Sequence, residues 1–437
     1  MGVLTRDRLA ALDAADPLAA FRDRFELPER VIYLDGNSLG PVPKQTPARI
    51  AEIVANEWGV SLIRAWTDHD WIGLPLRVGA KIGRLIGGAL DSTVVADSTS
   101  VNLFKALTAA LEMRPGRQTI LTETGNFPTD LYIAQGLTAL LGRGHVLRRA
   151  DDPMQALGPD VAVLMLTHVN YRSGAMHDMA AMTRAAHDAG ALALWDLSHS
   201  VGAVPLKLAN DDVDLAVGCG YKFLNGGPGA PAFLYVAPRL HAAFRSPLTG
   251  WLGHAEPFAF DPEYRPAEGI ARGVAGTPPV LSAAALEVGV DLMLQVPMAE
   301  LRAKSVRLAD LFLALVAQEC GGEQFTTLTP ADAARRGSQV SFTHPAGYAI
   351  MQALIERGVI GDFRAPDVLR FGLAPLYLRY VDIWDAVSVL RDVMRSGVWQ
   401  QERFAERRAI ASRLMPSSFA LVRLRLSGAR HVGRTWP

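Results

Sequence analysis

A lysine in a glycine-rich loop and an aspartate at the end of an apolar run are the residues whose types and spacing most directly suggest chemistry. Lys222 follows Tyr221 and precedes Asn225–Gly229, a turn in which three of the five residues are glycine. Asp196 lies 26 residues earlier, directly after the apolar run 191–195. A lysine amine can form an imine with an aldehyde cofactor, and an aspartate can hold a protonated pyridine nitrogen. The pair therefore predicts a site for pyridoxal phosphate (PLP).

Both residues also have plain structural explanations. A lone lysine near glycines is most often a surface residue, and an aspartate after a strand often caps the next helix. Two features favour the chemical interpretation: glycines let the backbone approach a bulky ligand, and ligands of open α/β sheets bind at the carboxyl ends of strands. His199, three residues after Asp196, could bond near the cofactor ring, although a lone histidine is more often structural.

Two upstream segments could complete such a site. Thr99 and Ser100 precede an apolar helical stretch, so their hydroxyls and the amides of a helix N-terminus could hold a phosphate. The same residues could simply cap that helix. Phe127, in Asn126–Asp130, follows a predicted strand and could stack on a cofactor ring or pack in a proline-containing turn.

Composition and charge argue against several other functions. The 437 residues include 44 Lys+Arg and 44 Asp+Glu, so no overall field favours nucleic acid or an anionic membrane. No apolar run approaches the ~20 residues of a membrane-spanning helix, and the N-terminus lacks the apolar stretch of a secretory signal. Only Cys219 and Cys320 are present, too few for a disulfide framework or a cysteine metal site, so no metal is expected. These features predict a cytoplasmic protein.

Short apolar runs alternate with helical patterns over much of the chain. The runs that predict buried strands are 119–123, 161–166, 191–195 and 232–236, and the helical stretches include 102–112 and 178–189. This alternation predicts an α/β domain with helices on both faces of a parallel or mixed sheet. One or two long helices, interrupted near Pro297, are expected over 282–319.

The same patterns divide the chain into four predicted parts. They are an N-terminal segment (1–50), a large PLP-binding α/β domain (51–290), a smaller α+β domain (291–398) and an arginine-rich extension (399–437). Residues 401–437 contain eight arginines and no lysine, and we interpret them as a solvated or partner-covered extension rather than a nucleic-acid binder.

A set of segments, in order along about residues 20–395, resembles the signatures of the kynureninase family. The segments are Tyr33–Pro41, Trp58–Gly59 with Ile63–Trp66, Ser98–Lys105, Asn126–Asp130, Asn170–Gly174, Asp196–Gly202, Tyr221–Gly229 and Leu369–Tyr377. Several are long enough that chance agreement is very improbable, and together they span nearly the whole chain.

The resemblance implies a fold and an activity. The fold is that of a fold-type I PLP enzyme, similar to aspartate aminotransferase, with a mainly parallel seven-stranded sheet in the large domain and a smaller α+β C-terminal domain. The activity is the hydrolysis of L-kynurenine to anthranilate and L-alanine, a carbon–carbon bond cleavage of tryptophan catabolism and NAD biosynthesis. The resemblance also implies a homodimer whose active sites lie between the subunits.

Site residues are carried over from the same motifs. Lys222 would bond the cofactor, Asp196 would pair with the ring nitrogen, and Tyr221 would contact the phosphate and move protons. Arg370 would bind the α-carboxylate of the substrate. The other positions that the resemblance gives to the cofactor are Thr99, Ser100, Phe127, Asp130, Thr167 and His199.

Two further cofactor positions, Trp251 and Thr277, would be contributed by the neighbouring subunit. Some relatives carry asparagine where Thr277 stands, and that position bears on the choice between kynurenine and 3-hydroxykynurenine. The substrate preference of this chain is therefore left open.

Three rival interpretations remain at this point. A cysteine desulfurase or selenocysteine lyase shares the fold but needs a mobile nucleophilic cysteine, whereas Cys219 is close to Lys222 and Cys320 ends a predicted helix. A class V aminotransferase would require a 2-oxo acid. A non-catalytic regulator built on the same fold is disfavoured by the joint presence of Lys222, Asp196 and Arg370.

Overall fold

The computed structural model describes residues 3–406, and thirteen strands run through that range. In chain order they are β1 Ile32–Tyr33, β2 Thr93–Val95, β3 Thr119–Glu123, β4 Val146–Ala150, β5 Val161–Thr167, β6 Leu192–Asp196, β7 Leu215–Gly218, β8 Phe233–Val236, β9 Thr326–Thr327, β10 Gln339–Thr343, β11 Val359–Ile360, β12 Asp362–Arg364 and β13 Val368–Gly372. The four strands predicted from apolar runs correspond to β3, β5, β6 and β8, and these predictions are confirmed within one residue at each end.

Seven strands form one sheet in the order β2-β8-β7-β6-β5-β3-β4. Only β8 runs antiparallel to its neighbours, so the prediction of a mainly parallel seven-stranded sheet is confirmed. All residues of β5 and β6 are buried, as expected of central strands covered on both faces. The carboxyl ends of the parallel strands therefore meet along one edge of the sheet.

Twelve α-helices accompany these strands within residues 3–406. They are α1 Arg6–Ala14, α2 Thr46–Glu52, α3 Ala65–Asp68, α4 Leu74–Leu85, α5 Thr99–Glu112, α6 Pro128–Leu141, α7 Met179–Asp188, α8 Val280–Met293, α9 Met298–Glu319, α10 Gly347–Glu356, α11 Tyr380–Ser396 and α12 Glu402–Ala405. The inward faces of α5 and α6 pack on one side of the large sheet, whereas α4, α7 and α8 pack on the other.

The long helical stretch predicted over 282–319 is two helices, α8 and α9. Pro297 is the residue directly before α9, as the predicted interruption requires, because proline cannot donate within a helix interior. No single helix in residues 3–406 has the length and hydropathy to cross a membrane; α8 and α9 reach both thresholds only jointly, with an 88° bend between them.

A second sheet, antiparallel throughout, lies in the C-terminal part of the described chain in the order β12-β13-β10-β9. Its central strand β13 carries Arg370, which is paired in register with Asp362 of β12. The N-terminal segment reaches this region, because β1 pairs in parallel with β11. The predicted four-part division of the chain stays a prediction, and residues 407–437 of its last part lie outside the described residues.

Candidate active site

Nine of the twelve predicted site residues line one pocket at the carboxyl edge of the large sheet. The predicted residues in the pocket are Thr99, Ser100, Phe127, Asp130, Thr167, Asp196, His199, Tyr221 and Lys222. Arg370, Trp251 and Thr277 do not line it. The geometry that brings the nine together is the one expected of an open α/β sheet, in which strand ends gather at one edge.

Strand ends and helix starts position these side chains. Thr167 and Asp196 are the last residues of the adjacent strands β5 and β6 and are paired in register. Thr99 is the first residue of α5, which the Ser98 side chain caps by accepting from Val101 N. The capping explanation therefore holds for Ser98, while Thr99 and Ser100 remain on the pocket wall.

Two buried carboxyl groups dominate the electrostatics of the pocket. Asp130 and Asp196 are 1% and 3% exposed, and burial is the main cause that raises the pKa of each. The negative charge of Asp196 raises the pKa of Asp130 further, while a hydrogen bond from Thr167 Oγ1 to Asp130 Oδ2 at 3.2 Å acts against this. Ser198 N donates to Asp196 Oδ1 at 2.7 Å, so one oxygen of Asp196 is held by the backbone.

Lys222 is the cation that faces these carboxyl groups. Its Nζ lies 2.9 Å from His199 Nε2, and the same nitrogen of His199 lies 3.1 Å from Asn37 O. Burial and the nearby charge of Lys222 lower the pKa of His199, so this imidazole is neutral at physiological pH. A neutral Nε2 can donate to Asn37 O or accept from Lys222, but it cannot do both at once.

A glycine allows the N-terminal segment to approach the lysine loop. Gly40 N donates to Tyr221 O at 2.8 Å, and a Cβ at position 40 would collide with Lys222 O and with Asn225. The segment 35–40 therefore closes over the loop that carries Lys222, which explains in physical terms why a glycine stands at position 40.

The residues of the pocket fit PLP. Two buried carboxyl groups are faced by a single lysine, and a protonated pyridine nitrogen is the further cation that such a pair would stabilise. The N-terminus of the 14-residue helix α5 presents backbone amides beside Thr99 and Ser100, a suitable arrangement for a phosphate. The Phe127 ring, 5.9 Å from Lys222 Nζ, offers an aromatic face within reach of an attached ring.

Tyr221 keeps its proton over a wide pH range. Burial is the main cause that raises the pKa of its phenol, and the neighbouring Cys219 raises it further. Neither cysteine lines the pocket, and both thiols are buried, with Cys219 2% and Cys320 4% exposed. The cysteine chemistry considered as a rival therefore lacks an accessible thiol at this site.

Arg370 lies next to the pocket rather than in its wall. Its Nη1 donates at 2.9 Å to the carbonyl oxygen of Tyr171, a residue that does line the pocket and whose ring meets Phe127 edge-to-face at 5.1 Å. The side chain of Arg370 is 1% exposed and comes from the antiparallel sheet. The antiparallel sheet thus contacts the pocket wall through the hydrogen bond from Arg370 to Tyr171.

Trp251 and Thr277 lie away from the pocket within this chain. Trp251 is 36% exposed and packs edge-to-face against Trp66 and Phe258, and Thr277 is exposed. This arrangement agrees with the expectation that a neighbouring subunit supplies them, but it does not test that expectation.

Three further residues line the pocket without a role predicted from the sequence: Thr129, Tyr171 and Ser198. Each lies inside a segment that resembles a family signature, so the motifs contained the signal. Their individual contacts with the pocket could not be predicted from the sequence, because those contacts depend on how separate segments meet in space.

Comparisons with known proteins decide the family. The family model described as "Kynureninase C-terminal domain" matches residues 301–390. A kynureninase from Pseudomonas fluorescens is 51% identical over 413 residues, which cover 93% of this chain and 99% of that protein. The chain belongs to the kynureninase family. Kynureninases from Burkholderia mallei (strain SAVP1) and Burkholderia pseudomallei (strain K96243) match over the same shares, at 51% and 50% identity.

Solved structures confirm the fold class of this kynureninase family member. A cysteine desulfurase from Thermococcus onnurineus NA1 superposes with a TM-score of 0.73 at 18% identity, covering 87% of this chain and 98% of that one. A mutant of the protein C-DES, with glycine covalently linked to its PLP cofactor, superposes with a TM-score of 0.75 at 19% identity, covering 85% and 99%. At these identities the likeness shows the fold alone, and the predicted fold-type I class is confirmed.

Proposed function

We propose that this protein is a PLP-dependent hydrolase that cleaves L-kynurenine, with water, into anthranilate and L-alanine. The observation that carries the proposal is the 51% identity to a kynureninase over 93% of the chain. The pocket independently supports the PLP dependence in this proposal, because a lysine, two buried carboxyl groups and a helix N-terminus meet there. The rival activities lack a comparable observation in their favour.

Bound PLP supplies an electron sink for charge that develops on the substrate α-carbon, and a covalent bond to a lysine amine. Lys222 would provide that amine, and its Nζ would serve as the base that takes the α-proton. Asp196, whose Oδ1 accepts a hydrogen bond from Ser198 N, would keep the ring nitrogen protonated. Thr99 and Ser100 would hold the phosphate, Phe127 would stack on the ring, and the remaining supports would be Asp130, Thr167 and His199.

Tyr221 is the proposed proton carrier for the later steps. Its phenol stays protonated at neutral pH, so it can donate its proton to an oxygen of the substrate carbonyl. The phenolate that remains can then accept a proton from the attacking water, which restores the phenol. Arg370, whose Nη1 donates to the carbonyl oxygen of Tyr171 in the pocket wall, would hold the α-carboxylate.

The homodimer belongs to the same proposal. Trp251 and Thr277 lie outside the pocket of their own chain, and several large apolar side chains are exposed, among them Ile63 at 77% and Phe260 at 81%. Large apolar side chains exposed to this degree are consistent with a protein partner, here a second copy. Mixing inactive Lys222→Ala and Thr277→Trp variants tests the sharing of sites, because a mixed dimer would regain one intact site.

An anthranilate fluorescence assay with purified protein tests the activity directly. Turnover of L-kynurenine that needs added or bound PLP, and no 2-oxo acid, is expected. Release of sulfide from L-cysteine without anthranilate formation would favour a desulfurase instead. The same assay with 3-hydroxykynurenine addresses the open preference at Thr277. The cytoplasmic location and the four-part domain division stay predictions. Cell fractionation would test the location, and limited proteolysis would test the domain boundaries.

A further inference from the structure

Arg370 is held by four acceptors from three separate segments of the chain. Its Nη2 donates to Asp362 Oδ2 and to Ser38 Oγ, both at 2.6 Å, and its Nη1 donates to Tyr171 O. The amide of Asn37, turned so that its oxygen faces the guanidinium, accepts from Nε at 3.2 Å. A guanidinium has five N–H groups. Among the partners within residues 3–406, one hydrogen of Nη1 is therefore uncommitted.

A carboxylate that binds in a bidentate manner needs two neighbouring N–H groups. It can take the uncommitted Nη1 hydrogen, but the second must come from Nη2, so either Ser38 or Asp362 has to yield. The hydroxyl of Ser38 can rotate, and the hydrogen bond that it donates to Asp35 does not depend on Arg370. Asp362 is fixed opposite Arg370 by the register of β12 on β13, where paired side chains share a face.

The charges around Arg370 determine whether Asp362 orients the guanidinium or competes with the substrate carboxylate for it. Asp362 Oδ2 lies 2.6 Å from Arg370 Nη2 and 2.7 Å from Arg364 Nη2, so a second arginine compensates its charge. Asp35, 3.9 Å from Arg370 Nη2, lies beyond hydrogen-bonding distance. An aspartate balanced by its own second cation repels an incoming carboxylate only weakly, while it still fixes the plane of the guanidinium.

We propose that Asp362 is a positioning residue for substrate binding: it holds the Arg370 guanidinium in the plane that receives the α-carboxylate, while Ser38 is the partner that the carboxylate displaces. This inference rests on the proposed role of Arg370 as the carboxylate anchor. Asp362 itself does not line the pocket that holds the other site residues.

Titration of the PLP-loaded enzyme with L-alanine and with ethylamine tests the proposal. Both amines can react with the cofactor, but only L-alanine has a carboxylate, and cofactor absorbance reports binding without turnover. For Asp362→Asn we expect the Kd of L-alanine to rise about 10-fold or more, since a charge-assisted hydrogen bond is misplaced. The Kd of ethylamine should stay within about threefold, as should kcat at saturating kynurenine, because neither depends on the anchor.

Asp310→Asn is the matched control. Asp310 is the carboxylate partner of Arg336, another 1% exposed arginine, and neither residue lines the pocket. This variant should lower the thermal midpoint and leave the L-alanine Kd unchanged. If Asp362→Asn does not retain PLP, Asp362→Glu can be tested instead, because it keeps the negative charge but changes its position. For Asp362→Glu we expect a raised Kd for L-alanine and an unchanged Kd for ethylamine.

Two results would overturn the inference. Tighter L-alanine binding in Asp362→Asn would mean that Asp362 competes with the carboxylate, and equal weakening for L-alanine and ethylamine would mean a merely structural role. Failure of the proposed function is distinguishable from both: a wild-type enzyme that does not hydrolyse kynurenine can still show the L-alanine effect, which depends only on the anchor.

Discussion

The cofactor pocket and the proposed carboxylate anchor, Arg370 with its acidic neighbours, accommodate buried charge in opposite ways. In the pocket, Asp130 and Asp196 are buried with Lys222 as the facing cation, and burial raises the pKa of both carboxyl groups. At the anchor, Arg370 and Arg364 face Asp362 and Asp35, so the charges are already balanced. The pocket can therefore accommodate a further cation, whereas Arg370 can exchange one of its oxygen partners for another.

Removing the charge of Asp196 should produce the largest effect. For Asp196→Asn we expect kcat to fall roughly 100-fold or more, because a fixed charge next to the ring nitrogen acts on the transition state. Steady-state kinetics of anthranilate release measures this. Asp214→Asn is the control, since Asp214 is also a buried aspartate beside the central strands but pairs with His187 and Arg239. An equal loss of kcat in both variants would show that general destabilisation, rather than the pocket, is responsible.

A change at the anchor should affect binding rather than the cofactor. Arg370→Lys is expected to lower kcat/KM roughly 10- to 100-fold, because lysine cannot reproduce two parallel hydrogen bonds to a carboxylate. The absorbance spectrum of the bound cofactor should be unchanged, in contrast to variants of the pocket. Wild-type kinetics in Arg370→Lys would place the carboxylate elsewhere.

The uncompensated charge of the pocket should be visible in the apoenzyme. The pKa of Asp130 is raised in the folded state, so ionisation of this carboxyl group opposes folding. The cost in stability is largest when the pH lies above the raised pKa. Asp130→Asn should therefore stabilise the apoenzyme, by an amount on the order of 3 kcal/mol, and more at pH 8 than at pH 5. Thermal unfolding with and without PLP measures this, and the gain should shrink when the cationic ring is bound. A gain that is identical at both pH values would contradict the explanation.

The anchor should give a smaller pH effect with a defined window. Burial, and next the charge of Asp362, raise the pKa of Asp35 from 3.8 to about 6. Ionisation of Asp35 therefore opposes folding. This unfavourable contribution to the free energy of folding is absent below pH 3.8 and complete above about pH 6. Asp35→Asn should be neutral at about pH 3.5 and stabilising by about 1–2 kcal/mol at pH 7, less than the ~3 kcal/mol that the pKa change allows, because partial exposure screens the charge. Denaturant unfolding across this range tests it, and a constant difference would refute it.

Only part of the large-domain pocket was predictable from sequence for a physical reason. Asp196 follows an apolar run that forms a strand, and ligands of such sheets bind at the carboxyl ends of strands. Thr167, its partner in register, and Asp130 were assigned only by the resemblance to the kynureninase family. The partners of Arg370 were not predictable in the same way. Ser38 and Asp362 are far apart in the sequence, and their meeting at one guanidinium depends on the β1–β11 pairing between distant segments. The predicted roles of Trp251 and Thr277 involve a second subunit, and no pattern within one chain can position that subunit.

Covalent labelling of the holoenzyme tests the central claim most directly. Reduction with borohydride followed by peptide mapping should find the cofactor attached to the ε-nitrogen of Lys222, and Lys222→Ala should abolish both the label and anthranilate formation. Labelling of a different lysine, or full turnover in Lys222→Ala, would contradict the account.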